Sequence, residues 1–254
     1  MFQVDLTGKV AVVTGGSRGL GRAMVLGLAR AGADVVIASR KLDTCEEVAT
    51  EVRALGRRAL AVAAHAGNLE SLDALIDSTY AEFGRLDVLV NNAATNPVTA
   101  GLSDLTPELF QKVFEVNTKG PWYLASRAAP RMAKHGGGSI INVISVAAFK
   151  PPAYQGFYAA TKAALNALTR VMAAEWAPLG IRVNALAPGS FHSDMFDNSA
   201  KVLPGFIEGS IAKTVQKRIA ETDEIIGSVI YLASDMSSYT TGSALVTDGG
   251  YLLL

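Results

Sequence analysis

The residues with the clearest chemical potential are a tyrosine and a lysine four positions apart, Tyr158 and Lys162. On a helix this spacing places both side chains on one face, one turn apart. A phenol ordinarily keeps its proton up to about pH 10, and an adjacent ammonium lowers that pKa because it stabilises the phenolate. The pair is therefore suited to exchange a proton with a carbonyl or alcohol oxygen. Such pairs also occur by chance on many helices, so the assignment depends on the rest of the chain.

Two further polar residues stand where they can join this pair. Ser145 follows a predicted strand at residues 139–144. Ligands of open α/β sheets bind outside the carboxyl ends of the strands, so this hydroxyl can hydrogen-bond to the reacting oxygen. Asn117 lies in a long predicted helix, where asparagine is unfavourable. Its side chain is expected to bind a water or a backbone group, and a purely structural role stays open at this point.

A glycine-rich turn near the N-terminus predicts a pyrophosphate site. Gly15, Gly19 and Gly21 follow a short apolar strand and precede a helix. Glycine permits a sharp turn and a close approach of the backbone to a ligand. The N–H groups at the helix start, around Leu20, suit a pyrophosphate. Strand, turn, helix and second strand fall within about thirty residues, the context that dinucleotide binding requires. A plain glycine turn is the alternative.

The end of the second predicted strand bears on the type of nucleotide. An NAD site typically carries a carboxylate there, which binds the ribose hydroxyl. This chain has Ser39, Arg40 and Lys41 instead, and a guanidinium binds a 2′-phosphate well. Arg18, inside the glycine turn, adds a second cation. The pattern predicts NADP(H) in preference to NAD(H), which remains possible. A solvated loop is the alternative for the two strand-end cations.

Strands and helices alternate along all 254 residues. We expect an α/β fold, a Rossmann-type doubly wound parallel sheet with helices on both faces, in a single domain over residues 1–254. The helix predicted at 107–135 is expected to bend or break around Gly120-Pro121. Residues 190–222 show no clean periodicity, and we interpret them as an insertion with one or two short helices that covers the substrate.

Composition excludes several classes of protein. The chain has 23 basic and 23 acidic residues and a formal net charge of zero, which argues against a nucleic-acid or membrane-surface role. Its one cysteine, Cys45, permits no intrachain disulfide, and its three histidines lack metal-ligand spacing, so no metal site is expected. No apolar run reaches about 18 residues, and the first nine residues lack a signal-peptide core. We expect a cytoplasmic protein with a small-molecule substrate.

These segments together resemble the short-chain dehydrogenase/reductase family. The matching residues run in family order and cover essentially the whole chain: Thr14-Gly15-Gly16-Ser17-Arg18-Gly19-Leu20-Gly21, Asn91-Asn92-Ala93-Ala94, Asn117, Ser145, Tyr158-x-x-x-Lys162 and Pro188-Gly189. The resemblance implies hydride transfer between a nicotinamide and a carbonyl or secondary alcohol. It implies that Tyr158 is the general acid or base, that Lys162 lowers its pKa and binds the nicotinamide ribose, and that Ser145 polarises the carbonyl. It also implies that Asn117 holds a water of a proton relay.

The resemblance assigns further cofactor contacts. Asn92 and Ala93 would line the adenosine, the backbone of Ala66 would meet the adenine, and the segment after the sixth strand would meet the nicotinamide. The whole predicted cofactor set is Gly15, Ser17, Arg18, Gly19, Leu20, Gly21, Ser39, Arg40, Lys41, Ala66, Asn92, Ala93, Tyr158, Lys162, Pro188, Gly189 and Ser193. Three positions depart from the usual pattern: Ala94 replaces a glycine, His65 an aspartate and Ser193 a threonine.

The predicted substrate wall is apolar and aromatic, which favours a hydrophobic ketone, alcohol or acyl thioester. Its candidates are Asn96, Val146, Ala147, Pro152, Tyr154, Phe191, Met195 and Phe206. The alternatives are a 3-oxoacyl thioester reductase, an NAD-dependent alcohol dehydrogenase, an isomerase or epimerase that uses bound nicotinamide, and a nucleotide-binding regulator without turnover. The resemblance implies a homotetramer formed by two long helices and the C-terminal segment, whose apolar residues 251–254 would be unfavourable in water.

Overall fold

The computed structural model describes residues 4–96, 100–193, 196, 197, 200 and 205–254. Within them, seven strands form one parallel sheet: β1 (Val10–Thr14), β2 (Asp34–Ser39), β3 (Ala59–Ala63), β4 (Val88–Asn91), β5 (Gly138–Val143), β6 (Ile181–Pro188) and β7 (Ala244–Thr247). Their order across the sheet is β3-β2-β1-β4-β5-β6-β7. The order reverses between β1 and β4, and such a switch point opens a crevice at the carboxyl ends of the strands.

Helices cover both faces of the sheet, as predicted, and the α/β fold class is confirmed. One face carries α1 (Gly19–Arg30), α2 (Leu42–Ala54) and α8 (Ile226–Ala233). The other carries α3 (Leu69–Phe83), α5 (Gly120–Ala133) and α6 (Gly156–Trp176). Each face has its own buried apolar cluster. The central strand β1, with all five residues buried, is therefore apolar up to its last residue, Thr14.

Local signals set the helix ends. The side chain of Asn68 accepts a hydrogen bond from the Ser71 amide at 2.8 Å and begins α3, which ends at Gly84 in the left-handed conformation. Helix α4 (Pro107–Phe114) begins at Thr106, whose hydroxyl accepts from the Leu109 amide at 3.2 Å. The predicted hydroxyl cap followed by proline at the first helical position is confirmed.

The long helix predicted after Thr106 is interrupted earlier than expected. A π turn, Glu115–Lys119, separates α4 from α5 and places Asn117 at its centre. Pro121 has no N–H, so it cannot donate to the carbonyl of residue 117, four positions earlier. Gly120 lies so close to the preceding loop that an added Cβ would be 1.9 Å from the Ala66 oxygen. At the place of the bend predicted at Gly120-Pro121 the structure therefore has a π turn, whose last residue, Lys119, directly precedes Gly120.

The described part of the predicted insertion includes a helix, α7 (Phe206–Ala212). Phe191 is buried and forms an isolated parallel bridge with Ala220. Met195, predicted to contact substrate, lies outside the described residues. None of the helices in the described ranges is long and apolar enough to cross a bilayer.

Candidate active site

The glycine turn forms a cradle at the end of β1. Gly15 and Gly19 have φ angles of 65° and 52°, in the region that favours glycine. A Cβ added to Gly21 would be 2.0 Å from the Gly15 oxygen, so a side chain there would displace the turn. Helix α1 begins at Gly19, and its first N–H groups have no partner within the helix. Ser17 and Leu20 are half-buried beside it. The cradle fits a pyrophosphate.

Asn92 and Thr14 lock the end of β4 onto this turn. The Asn92 carboxamide donates to the carbonyl oxygens of Thr14 and Gly15 at 2.9 and 3.2 Å. The Thr14 hydroxyl accepts from the amides of Asn92 and Ala93 at 3.0 and 3.1 Å. The predicted adenosine residues therefore adjoin the predicted phosphate loop. Thr14 holds both segments together, a role that its place in the motif does not reveal.

The end of β2 presents two cations to solvent. The Arg40 and Lys41 side chains are exposed, and neither forms an ion pair with any residue that the structure describes. Ser39 is half-buried, with its Oγ 3.1 Å from the Cys45 Sγ. Burial raises the pKa of the Cys45 thiol. Arg18 is exposed on the neighbouring turn, so these positive groups flank one end of the cradle.

The predicted adenine contact lies at the end of β3. Ala66 is half-buried, and its carbonyl oxygen packs against Gly120. His65 is exposed, and its Nδ1 accepts a hydrogen bond from the Gly67 amide at 3.0 Å. This contact holds the ring against its own loop.

The end of β6 and the residues that follow it close the opposite side of the cradle. Pro188 is buried, and the Gly189 amide donates to the Thr247 oxygen at 2.9 Å. The Cβ of Ser193 is 3.7 Å from the position that a Cβ on Gly19 would take. The segment predicted to contact nicotinamide therefore faces the start of α1.

The catalytic candidates meet between β5 and the first turn of α6. Ser145 follows β5, and its hydroxyl accepts from the Ala147 amide at 3.1 Å. Lys162 is 2 % exposed, and its Nζ donates to the Val143 oxygen at 2.7 Å. The same Nζ lies 5.8 Å from the centre of the Tyr158 ring. The shared helix face predicted for Tyr158 and Lys162 agrees with this contact.

Burial dominates the proton affinities of the pair. It raises the pKa of the Tyr158 phenol, while a hydrogen bond with Ser145 acts in the opposite direction. It lowers the pKa of the Lys162 ammonium to about 7. Burial acts on both groups in the same way, because each charged form loses hydration in this site.

The side chain of Asn117 is completely buried and forms three hydrogen bonds. Its Oδ1 accepts from the Thr95 amide at 2.8 Å, and its Nδ2 donates to the Thr95 carbonyl at 2.8 Å. The Nδ2 also donates to the Thr161 hydroxyl at 3.2 Å. The backbone group expected as a partner is found in Thr95. Neither Thr95 nor Thr161 belongs to a motif that would identify it from the sequence. Thr161 is distinguished only as the residue directly before Lys162.

A small cavity borders Tyr158. Asn96 and Tyr154 line it, together with apolar residues of α4 and the preceding loop, Leu105, Leu109 and Val113. Tyr154 has a φ of 66°, an unfavourable conformation for a bulky residue. Two of the predicted substrate residues therefore adjoin Tyr158, whereas Phe206 packs on Phe196 with ring centres 5.0 Å apart.

Comparison with known proteins agrees with this geometry. A family model described as enoyl-(acyl carrier protein) reductase matches residues 15–252. The short chain dehydrogenase/reductase astE of Aspergillus oryzae is 39% identical over 253 residues, covering 98% of this chain and 97% of the relative. Crystalline L-sorbose reductase from Gluconobacter frateurii, complexed with NADPH and L-sorbose, superposes with a TM-score of 0.95 and 33% identity, covering 100% of both chains.

A second solved structure carries the other nicotinamide cofactor. It is a 7α-hydroxysteroid dehydrogenase complexed with NADH and 7-oxo glycochenodeoxycholic acid, with a TM-score of 0.93, 31% identity and 98% of both chains covered. The chain belongs to the short-chain dehydrogenase/reductase family, whose members transfer a hydride between nicotinamide cofactors and CH–OH or C=O groups.

Proposed function

We propose that the protein is an NADP(H)-dependent oxidoreductase that interconverts a carbonyl and a secondary alcohol on a hydrophobic substrate. The observation that carries the proposal is the convergence of Ser145, Tyr158 and Lys162 beside an apolar cavity, with a single strand, β4, between β5 and the strand that carries the glycine cradle. When bound, the nicotinamide supplies or accepts the hydride. The protein must then hold the substrate oxygen and move one proton.

Tyr158 is the proton donor in the reducing direction. Its raised pKa keeps the phenol protonated at neutral pH, so the O–H can donate to the oxygen as that oxygen gains charge. The Ser145 hydroxyl hydrogen-bonds to the same oxygen and polarises the carbonyl. In the oxidising direction Tyr158 accepts the proton of the alcohol. Lys162, when protonated, stabilises the resulting phenolate and also holds the nicotinamide ribose.

Asn117 contributes to the relay through its backbone. Its carboxamide is occupied by Thr95 and Thr161. Its carbonyl oxygen, in contrast, receives no helical hydrogen bond from residue 121, which is a proline. This oxygen is the acceptor for a water that returns a proton toward Lys162. We therefore assign the water-holding role that the resemblance implies for Asn117 to its main-chain oxygen.

The preference for NADP(H) rests on Arg40 and Lys41 and on the absence of a carboxylate from residues 38–41 at the end of β2. A 2′-phosphate brings additional negative charge to these exposed cations, and arginine binds it with two hydrogen bonds. The set Ser17, Leu20, Ala66, Ala93, Pro188, Gly189 and Ser193 completes the cofactor site. Residues 190–222, within the single domain 1–254, cover the substrate. The related structures contain chemically different ligands, L-sorbose in one and 7-oxo glycochenodeoxycholic acid in the other, so they do not identify the substrate of this chain.

The test is turnover of a panel of hydrophobic ketones, secondary alcohols and an acetoacetyl thioester, followed by NAD(P)H absorbance. We expect NADPH-dependent reduction of a hydrophobic ketone, and loss of turnover in Tyr158→Phe with NADPH affinity nearly unchanged. Fluorescence titration should give tighter binding of NADPH than of NADH, with the difference reduced in Arg40→Gln. Full activity of Tyr158→Phe would contradict the mechanism, and absence of turnover in the wild type would favour a regulator.

A further inference from the structure

Thr161 makes two hydrogen bonds within the catalytic helix and the π turn. Its side chain is completely buried, three positions after Tyr158 and one before Lys162. The hydroxyl donates to the Tyr158 carbonyl oxygen at 2.7 Å and accepts from the Asn117 carboxamide at 3.2 Å. One hydroxyl therefore joins the backbone of the proposed acid to the centre of the π turn.

A second contact joins the same two elements. The Thr118 hydroxyl donates to the carbonyl oxygen of Thr161 at 3.1 Å. Asn117 in turn holds both backbone groups of Thr95, in the segment that follows β4. Three chain segments thus converge on Thr161: the end of β4, the π turn and the first turn of α6.

We propose that Thr161 is a positioning residue for proton transfer, which holds the first turn of α6, and with it the Tyr158 phenol, against the π turn. The inference rests on the proposed roles of Tyr158 and Lys162. Removal of the hydroxyl leaves a buried carboxamide hydrogen of Asn117 without this acceptor, an arrangement that buried polar groups avoid. The first turn of α6 then shifts relative to Ser145. A misplacement of about 1 Å is enough to slow a proton transfer that depends on orientation.

Thr169 provides a matched control on the same helix. Its side chain is also completely buried. Its hydroxyl donates to the Leu165 carbonyl at 2.8 Å and accepts from an asparagine carboxamide, that of Asn142, at 2.9 Å. The two threonines therefore have the same burial and the same hydrogen-bond pattern. They differ in distance from the reaction centre, since Thr169 lies two turns beyond Lys162.

The experiment compares Thr161→Val, Thr161→Ser and Thr169→Val with the wild type, using the ketone of the panel with the highest turnover. Thr161→Val should lower kcat about 10- to 100-fold, with KM and NADPH affinity nearly unchanged and the pH profile of kcat shifted. Thr161→Ser should stay within about threefold of the wild type because it keeps the hydroxyl. Thr169→Val should lower the melting temperature as much as Thr161→Val does, with kcat retained.

Two results would overturn the proposal: a kcat of Thr161→Val within about twofold of the wild type, or an equal loss of kcat in Thr169→Val. Should the valine variant fail to fold, Thr161→Cys decides, because a thiol is a weaker donor and acceptor than a hydroxyl. Its kcat should fall clearly below that of Thr161→Ser, and equality would refute the role. An active Tyr158→Phe in the same assay would instead show that the proposed mechanism, rather than the role of Thr161, has failed.

Discussion

At the scale of single residues, Lys162 couples protonation to folding. Burial lowers its pKa to about 7, whereas a solvated lysine in the unfolded chain titrates near 10.4. Between these values the unfolded chain binds more protons than the folded protein, so linkage makes the free energy of unfolding rise with pH. Below pH 7 both states are protonated, and the unfavourable burial of the charge is at its full size.

Lys162→Met removes this titration and keeps an apolar side chain in the same space. We expect the free energy of unfolding of the wild type, relative to this variant, to increase by about 2 kcal/mol between pH 7 and pH 9. Urea unfolding of the protein without cofactor, at fixed protein concentration, measures it. Lys134→Met, at an exposed position, should show no such change. A difference that stays flat with pH would refute the effect of burial.

The geometry of the pair is predictable from spacing alone, but its proton affinities are not. Tyr158 and Lys162 share a helix face because they are four residues apart. The desolvation of both groups depends on residues distant in sequence, among them Val143, whose carbonyl oxygen accepts a hydrogen bond from Lys162. The same is true of Asn117, whose partners Thr95 and Thr161 lie 22 and 44 positions away. Spacing can propose a constellation of residues, whereas only the packed fold gives its electrostatics.

At the scale of elements, the π turn depends on a glycine. A Cβ on Gly120 would lie 1.9 Å from a backbone oxygen, that of Ala66, which cannot move aside as a flexible side chain can. Gly120→Ala should therefore destabilise the protein by about 3 kcal/mol or more, and it should displace Asn117. Thermal unfolding measures the first effect, and kcat measures the second.

Gly227 is the matched control for this substitution. It also lies in a helix, α8, but an added Cβ would meet nothing within 4 Å. Gly227→Ala should be neutral or should stabilise the protein by up to about 1 kcal/mol, because alanine loses less backbone entropy on folding. Equal melting temperatures for the two alanine variants would show that the contact with Ala66 does not hold the turn.

Element types follow from the sequence more closely than interruptions do. Glycine and apolar periodicity indicate the strands and helices, and a threonine before a proline marks the start of α4. The π turn has a sequence signal in Gly120 and Pro121, but its exact position depends on the loop of Ala66. The positive φ of Tyr154 has no sequence signal, since tyrosine is unfavourable in that conformation.

At the scale of the whole molecule, strand order explains why residues far apart in sequence meet. The glycine turn, Arg40, Asn92, Ser145 and the segment after β6 each follow a strand of one parallel sheet. All these carboxyl ends lie on one edge, so a single crevice collects them. The convergence is predictable once the strands are known to be parallel. The substrate is not, because it is recognised by loops.

An apolar groove on the outer surface of α4, α5 and α6 is a candidate contact surface between copies of the chain. Its volume is about 570 Å³, and its lining includes Phe110, Phe114, Trp122 and Leu168. Trp122 is 42% exposed and Phe110 44%. The C-terminal Leu253 and Leu254 are also exposed. Exposed apolar surface of this kind marks interaction sites, so we propose that the chain forms the homotetramer that the family resemblance implies, through these helices and the C-terminal segment.

Trp122→Glu places a charge in the groove and should divide the tetramer into smaller assemblies, since burial of an unpaired carboxylate is strongly unfavourable. Size-exclusion chromatography with light scattering measures the mass. Leu55→Glu is the control, because Leu55 is 43% exposed at the end of α2, on the opposite face of the sheet, and its variant should keep the wild-type mass. A monomeric wild type would refute the tetramer. An unchanged mass for Trp122→Glu would instead place the interface elsewhere, because Trp122 lines this groove.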